Sequence, residues 1–103
     1  MPGLSHTAAL ILQAVAAGYR YGFDVMSATG LPSGTVYPAL RRMEDAGLVR
    51  SSWESEAEAH RDQRPARKYY VLRPRGVKAL KEAVERYHHL SRALPTAPAP
   101  KEA

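Results

Sequence analysis

Cysteine is absent from the 103 residues. Disulfides, thiolate metal sites and cysteine nucleophiles are therefore excluded, and the absence fits a reducing cytosol. Long apolar runs are missing too: no segment approaches the roughly 18 consecutive apolar residues that a membrane span needs. The opening Met1-Pro2-Gly3-Leu4 shows no basic region followed by an apolar run, so no secretory signal is expected. Acidic residues are the minority charge. Ten Asp+Glu stand against fifteen Lys+Arg, for a net charge of +5. Such a surplus attracts polyanions, nucleic acid first among them. Patterns for catalysis are also lacking. His6, His60, His88 and His89 are scattered, and the adjacent pair would point apart on a helix. No metal-ligand spacing, nucleophile elbow or phosphate loop occurs. No enzyme activity, metal or cofactor is expected. What remains is 45% apolar and 24% charged, the make-up of an ordinary globular domain. A chain this short folds alone only marginally, and dimerisation would add buried apolar area.

Helical spacing of Leu4, Ala8, Ile11, Leu12 and Val15 predicts a first helix from Ser5 to Ala17, ended by Gly18. A short second helix is expected over 21–29, with Phe23, Val25 and Met26 as its apolar contacts. Gly30-Leu31-Pro32 then breaks the chain. Ser33 reads as the N-cap of a third helix running to Ala46. Val36, Leu40 and Met43 face inward at i, i+4 and i+7, and Pro38 falls in or near the first turn. Strands are expected over 48–54 and 68–72, joined by a polar loop too long for a tight turn. Pro74 opens a last helix reaching Leu94. Its residues Val77, Leu80, Val84, Tyr87 and Leu94 form a short seam of alternating three- and four-residue steps, with Ser91 at the one polar place. The Pro- and Ala-rich stretch 95–103 is expected to be disordered. The order helix, helix, helix, strand, strand, helix is that of a mainly α (α+β) winged helix-turn-helix.

The block from Gly34-Thr35-Val36-Tyr37-Pro38-Ala39-Leu40-Arg41-Arg42-Met43 to Leu48-Val49 resembles the PadR family of transcriptional regulators. So do Tyr21-Gly22-Phe23-Asp24-Val25 upstream and Trp53-Glu54, Arg67-Lys68-Tyr69-Tyr70-Val71-Leu72, Gly76 and Leu80 downstream. The resemblance covers residues 10–90. It implies a winged-helix head (1–73), a dimerisation helix (74–94) and repression of bacterial promoters, with release by a small effector in many members. The brief region after the hairpin resembles the short subfamily. Three departures stand out: Arg73 replaces the Thr usual before the last helix, the N-terminal segment is short, and the wing loop carries acids.

By facing as well as by resemblance, the residues expected to meet DNA are Ser33, Thr35, Tyr37, Pro38 and Arg41, with Arg42 on a less favourable face. The third helix would lie in the major groove with its first turns at the bases. Hydroxyls and free N–H groups at its start suit phosphate, and an arginine can bond guanine in two-pronged fashion. Arg64, Arg67 and Lys68 are expected on flanking phosphates. The plainer alternatives are a half-buried Tyr37, Arg41 and Arg42 paired with Glu44 and Asp45, and a basic loop that only solubilises. Trp53 is expected in core or dimer packing.

The seam Val77, Leu80, Val84, Tyr87 and Leu94 is expected to build a homodimer, although it could pack on its own first helix instead. Two-fold symmetry would set two recognition helices one DNA turn apart and call for a palindromic operator. An effector pocket would lie near that interface, lined by Trp53 and Tyr87. The competing function is a winged-helix protein-interaction module without specific DNA binding. An apolar exposed face on the third helix would favour it.

Overall fold

Ser5 holds an extended backbone, and its hydroxyl accepts the Ala8 N–H at 3.1 Å. This cap opens α1, His6–Ala16, in the computed structural model, which describes residues 3–88 and Leu90. Helix α2, Gly22–Thr29, ends at Gly30, whose φ of 73° is left-handed. Only glycine takes that conformation without strain. Helix α3, Ser33–Asp45, follows after Leu31-Pro32. Strand β1 (Val49–Trp53), helix α4 (Glu56–Arg61), strand β2 (Lys68–Leu72) and helix α5 (Pro74–Arg86) complete the order. The two strands pair antiparallel, from Val49 opposite Leu72 to Trp53 opposite Lys68.

The apolar stripes of the three N-terminal helices converge. Ile11, Leu12, Val25, Val36, Leu40 and Val49 are all but fully buried in one cluster with Tyr70. Each such side chain contributes about 1.5–3 kcal/mol by leaving water. A smaller cluster of Ala9, Ala83 and Leu90 ties α5 to α1. The fold is the winged helix-turn-helix expected: α2 and α3 around a short turn, then a hairpin and a closing helix.

Several local expectations are corrected. The cap of α3 is Pro32, not Ser33. The Pro32 carbonyl accepts the Thr35 and Val36 N–H groups at 3.0 Å, so Ser33 is already helical. Pro38 is the sixth residue of α3 and lies beyond its first turn. Its ring supplies no N–H to the Gly34 carbonyl. Both residues are exposed, which leaves that carbonyl open to an outside donor. Phe23 is 66% exposed and so is not a core contact of α2. Trp53 is 68% exposed in the single chain and so is not in its core. It shares a face with Val49 and Ser51, and burial falls along that face from Val49 to Trp53, the last residue of β1. The long wing loop contains α4, capped by the Ser55 hydroxyl on the Glu58 N–H at 3.2 Å. Helix α5 stops at Arg86, well short of Leu94. Tyr87 leaves helical geometry (φ −115°, ψ 82°), its hydroxyl donates to the Leu4 carbonyl at 3.1 Å, and Leu90 is buried against α1. Leu94, Ser91 and the 95–103 tail lie outside the described residues.

Candidate nucleic-acid interface

Helix α3 divides cleanly. Val36, Ala39, Leu40 and Met43 are buried, while Ser33, Gly34, Tyr37, Pro38, Arg41 and Arg42 are exposed. The exposed set repeats at i, i+1, i+4, i+5, i+8 and i+9, which is one continuous helical face. Thr35 stands half-buried at its margin. Arg41 and Arg42 make no ion pair among the described residues. The acid nearest in sequence, Glu44, is turned to the wing, where it accepts from the Ser51 hydroxyl and pairs with Lys68 at 3.7 Å. Two permanent cations, a phenol and a hydroxyl thus share one surface; Asp45 is exposed one turn beyond Arg41, yet neither guanidinium is ion-paired among the described residues.

Tyr37 is 44% exposed and is seated rather than free. Its ring lies over the backbone of Gly22, the first residue of α2. A Cβ at Gly22 would come within 2.6 Å of Tyr37 Cζ and 2.8 Å of its hydroxyl oxygen. Buried Tyr70 lies near the same place: burial raises its hydroxyl pKa first, Glu44 and Tyr37 raise it further, and Arg41 opposes them.

The wing cations are held differently. Glu54 is buried just behind β1 and accepts from both terminal nitrogens of Arg64, one of them at 2.7 Å. Arg67 pairs with it at 3.6 Å, and the Tyr21 hydroxyl donates to it at 3.3 Å. The Arg67 guanidinium also sits 3.7 Å above the Tyr21 ring, a cation–π contact tying the wing to α2. Arg64 reaches Asp62 as well, at 2.9 Å. Hydrogen bonding by Arg64, foremost, holds the Glu54 carboxyl at about 2 against an ordinary 4.5. A depressed carboxylate stabilises the fold above its unfolded pKa and loses that contribution as pH falls through its folded one. Glu54→Gln should therefore melt below the wild type at neutral pH, and the gap should close between about pH 4.5 and 2. Thermal melts across that range check this; a gap independent of pH would rule out the carboxylate as its cause.

The sequence-predicted residues thus fall into two groups. Those of α3 share one open face. Arg64 and Arg67 are committed to Glu54, and Lys68 is 39% exposed between Glu44 and the Trp53 ring. In the seam, Leu80, Val84 and Tyr87 pack against the clusters that join α5 to α1, whereas Val77 is 57% exposed. Tyr87 also meets the His6 ring edge-on at 5.1 Å. Trp53 on the hairpin and Tyr87 against α1 therefore stand in different surroundings. Sequence reasoning passed over Glu54 as the wing's hub and Gly22 as the seat of Tyr37. The spacing of Ser55 and Glu58 was a readable cap signal for α4. Local pattern does not set Glu54 apart from its neighbouring acids; the resemblance, which includes Trp53-Glu54, was the signal that could have found it.

Comparison with known proteins bears on the fold and the family. The Transcriptional regulator PadR-like family matches residues 11–82. No curated protein matches the sequence. Among solved structures, a PadR family transcription regulator from hypervirulent Clostridium difficile is 25% identical with a TM-score of 0.71, over 85% of this chain and 93% of that one. A transcriptional regulator from Clostridium thermocellum is 22% identical with a TM-score of 0.67, over 84% of each chain. BpsR of Bordetella bronchiseptica, whose DNA binding is regulated by 6-hydroxynicotinic acid, is 22% identical with a TM-score of 0.68, over 90% of this chain and 67% of that one. With a match across the helix-turn-helix, the hairpin and most of α5, the chain belongs to the PadR-like family of transcriptional regulators.

Proposed function

We propose that this chain is a sequence-specific repressor that binds a palindromic operator as a homodimer and is released by a small effector. The observation that carries the DNA reading is the composition of the exposed α3 face. It presents Ser33, Tyr37, Pro38, Arg41 and Arg42, with both arginines unpaired among the described residues. Tyr and Arg also suit protein interfaces, but here they stand on the second helix of a helix-turn-helix with no exposed Leu, Ile, Val, Met or Phe of α3 beside them, which favours the major groove. In the groove, Arg41 and Tyr37 read or grip the duplex, Ser33 and Thr35 meet phosphate at the helix start, and Arg42 takes the flanking backbone. Lys68 adds a phosphate contact beside them. Arg64 and Arg67 primarily hold the wing in shape and reach phosphate only by sharing Glu54.

Gel-shift titration against the DNA immediately upstream of the protein's own coding region, at several salt concentrations, tests the reading. A discrete complex that survives non-specific competitor and weakens steeply with salt is expected. A complex no stronger than with competitor DNA would count against it and favour a protein-interaction module.

The homodimer rests on α5. Leu80 and Val84 serve the chain's own core, so Leu80→Asp with Val84→Asp is expected to unfold the chain or leave monomers. Val77 gives a cleaner test, because its side chain is largely exposed in the single chain. Val77→Asp should weaken the dimer in sedimentation while leaving the helical circular dichroism unchanged. A fully retained dimer would remove this face of α5 from the interface.

A further inference from the structure

We infer that Gly22 is a positioning residue for DNA recognition: its missing side chain is the seat that fixes the Tyr37 ring on the DNA-facing surface. The inference rests on the reading of Tyr37 as a DNA contact. Gly22 is buried at the first position of α2, and Tyr37 sits in the second turn of α3. The atoms that a Cβ at Gly22 would strike first are all from one group, the far end of the Tyr37 ring. Gly22 does not have the left-handed φ of Gly18, Gly30 and Gly47. Its backbone therefore accepts an L side chain, and alanine favours a helix over glycine. Glycine is needed here for space, not for conformation. An exposed tyrosine on a helix ordinarily samples several rotamers, and ordering it on DNA costs entropy. The flat seat on α2 removes that cost beforehand. It also couples the two helices of the helix-turn-helix through the contacting side chain itself.

The test is a double-mutant cycle on affinity, using a duplex that the wild-type protein selects from a random-sequence pool. Gly22→Ala should lose about tenfold in affinity, close to the loss in Tyr37→Ala. The double variant should bind no worse than Tyr37→Ala, because without the ring there is nothing left to displace. Melting temperature should hold in Gly22→Ala, and any drop should be restored in the double variant, a pattern that general damage to α2 would not give. The Tyr37 ring resonances should shift in Gly22→Ala without DNA. Wild-type affinity in Gly22→Ala, or losses that add in full in the double variant, would overturn the inference. Wild-type affinity in Tyr37→Ala would instead overturn the assignment of Tyr37 to the interface.

Discussion

Tyr37→Ala and Arg41→Ala should each cost about 1–3 kcal/mol of binding to the operator, roughly five- to 150-fold, while the folded chain persists. Arg41 is the stronger case for specificity. It is one helical turn beyond Tyr37 on the same face and is spared from any ion pair among the described residues, so its fork is available to a guanine edge or a phosphate. The two outcomes differ in kind. If Arg41 reads a base, its alanine variant should relax preference at one operator position. If it grips phosphate, affinity should fall evenly across sequences and the salt slope should shrink by about one. Stability should barely change in Arg41→Ala, because surface substitutions outside packed or paired sites usually stay within about 0.5 kcal/mol. Binding isotherms over a set of operator variants, with melts alongside, separate these cases. Wild-type binding by Arg41→Ala would take α3's second exposed turn out of the groove.

Gly76→Ala should be the most damaging single methyl in the chain. Gly76 is buried where α5 crosses the start of β1, and an added Cβ would come within 3.0 Å of the Leu48 carbonyl carbon and closer still to its oxygen. Unlike the ring over Gly22, this neighbour is backbone and cannot swing aside. The Leu48 carbonyl also accepts the Arg73 N–H at 2.9 Å, the bond that leads the chain into α5. Making room would separate α5 from the hairpin and break that bond. Overpacking of about 1–3 kcal/mol and a lost hydrogen bond of about 1 kcal/mol together give a loss near 3 kcal/mol. In a domain this small that corresponds to a fall in Tm of roughly 12–24 °C. Gly34→Ala is the control. It too lies in a helix, yet nothing stands within 4 Å of its Cβ position, so its melt should match or exceed the wild type. Equal melts for the two variants would contradict the close approach at Gly76.

The legible parts of the fold were those written in periodicity. Val36, Leu40 and Met43 declared the inner face of α3, and by subtraction Tyr37 and Arg41 the outer one. Strand β2 was equally plain, because a run of aromatic and β-branched residues has a local cause; the first helix was plain too, although Ser5, read as its first residue, is its cap. What failed depended on distant partners. The exposure of Trp53 and Phe23 follows from where the core ends, which no window of sequence contains. The early end of α5 depends on Tyr87 reaching Leu4 across the fold. The wing cations looked available because Glu54, buried and shared by Arg64 and Arg67, is one acid among four between residues 54 and 62. Which acid turns inward is decided by tertiary geometry.

Selection of binding sites from a random duplex pool by the 103-residue chain most directly tests whether it reads DNA as a symmetric pair of α3 helices. The expected result is enrichment of a two-fold symmetric consensus, its half-sites centred about 10 base pairs apart, roughly 34 Å. A pool that stays as random as its input would contradict sequence-specific binding through this face.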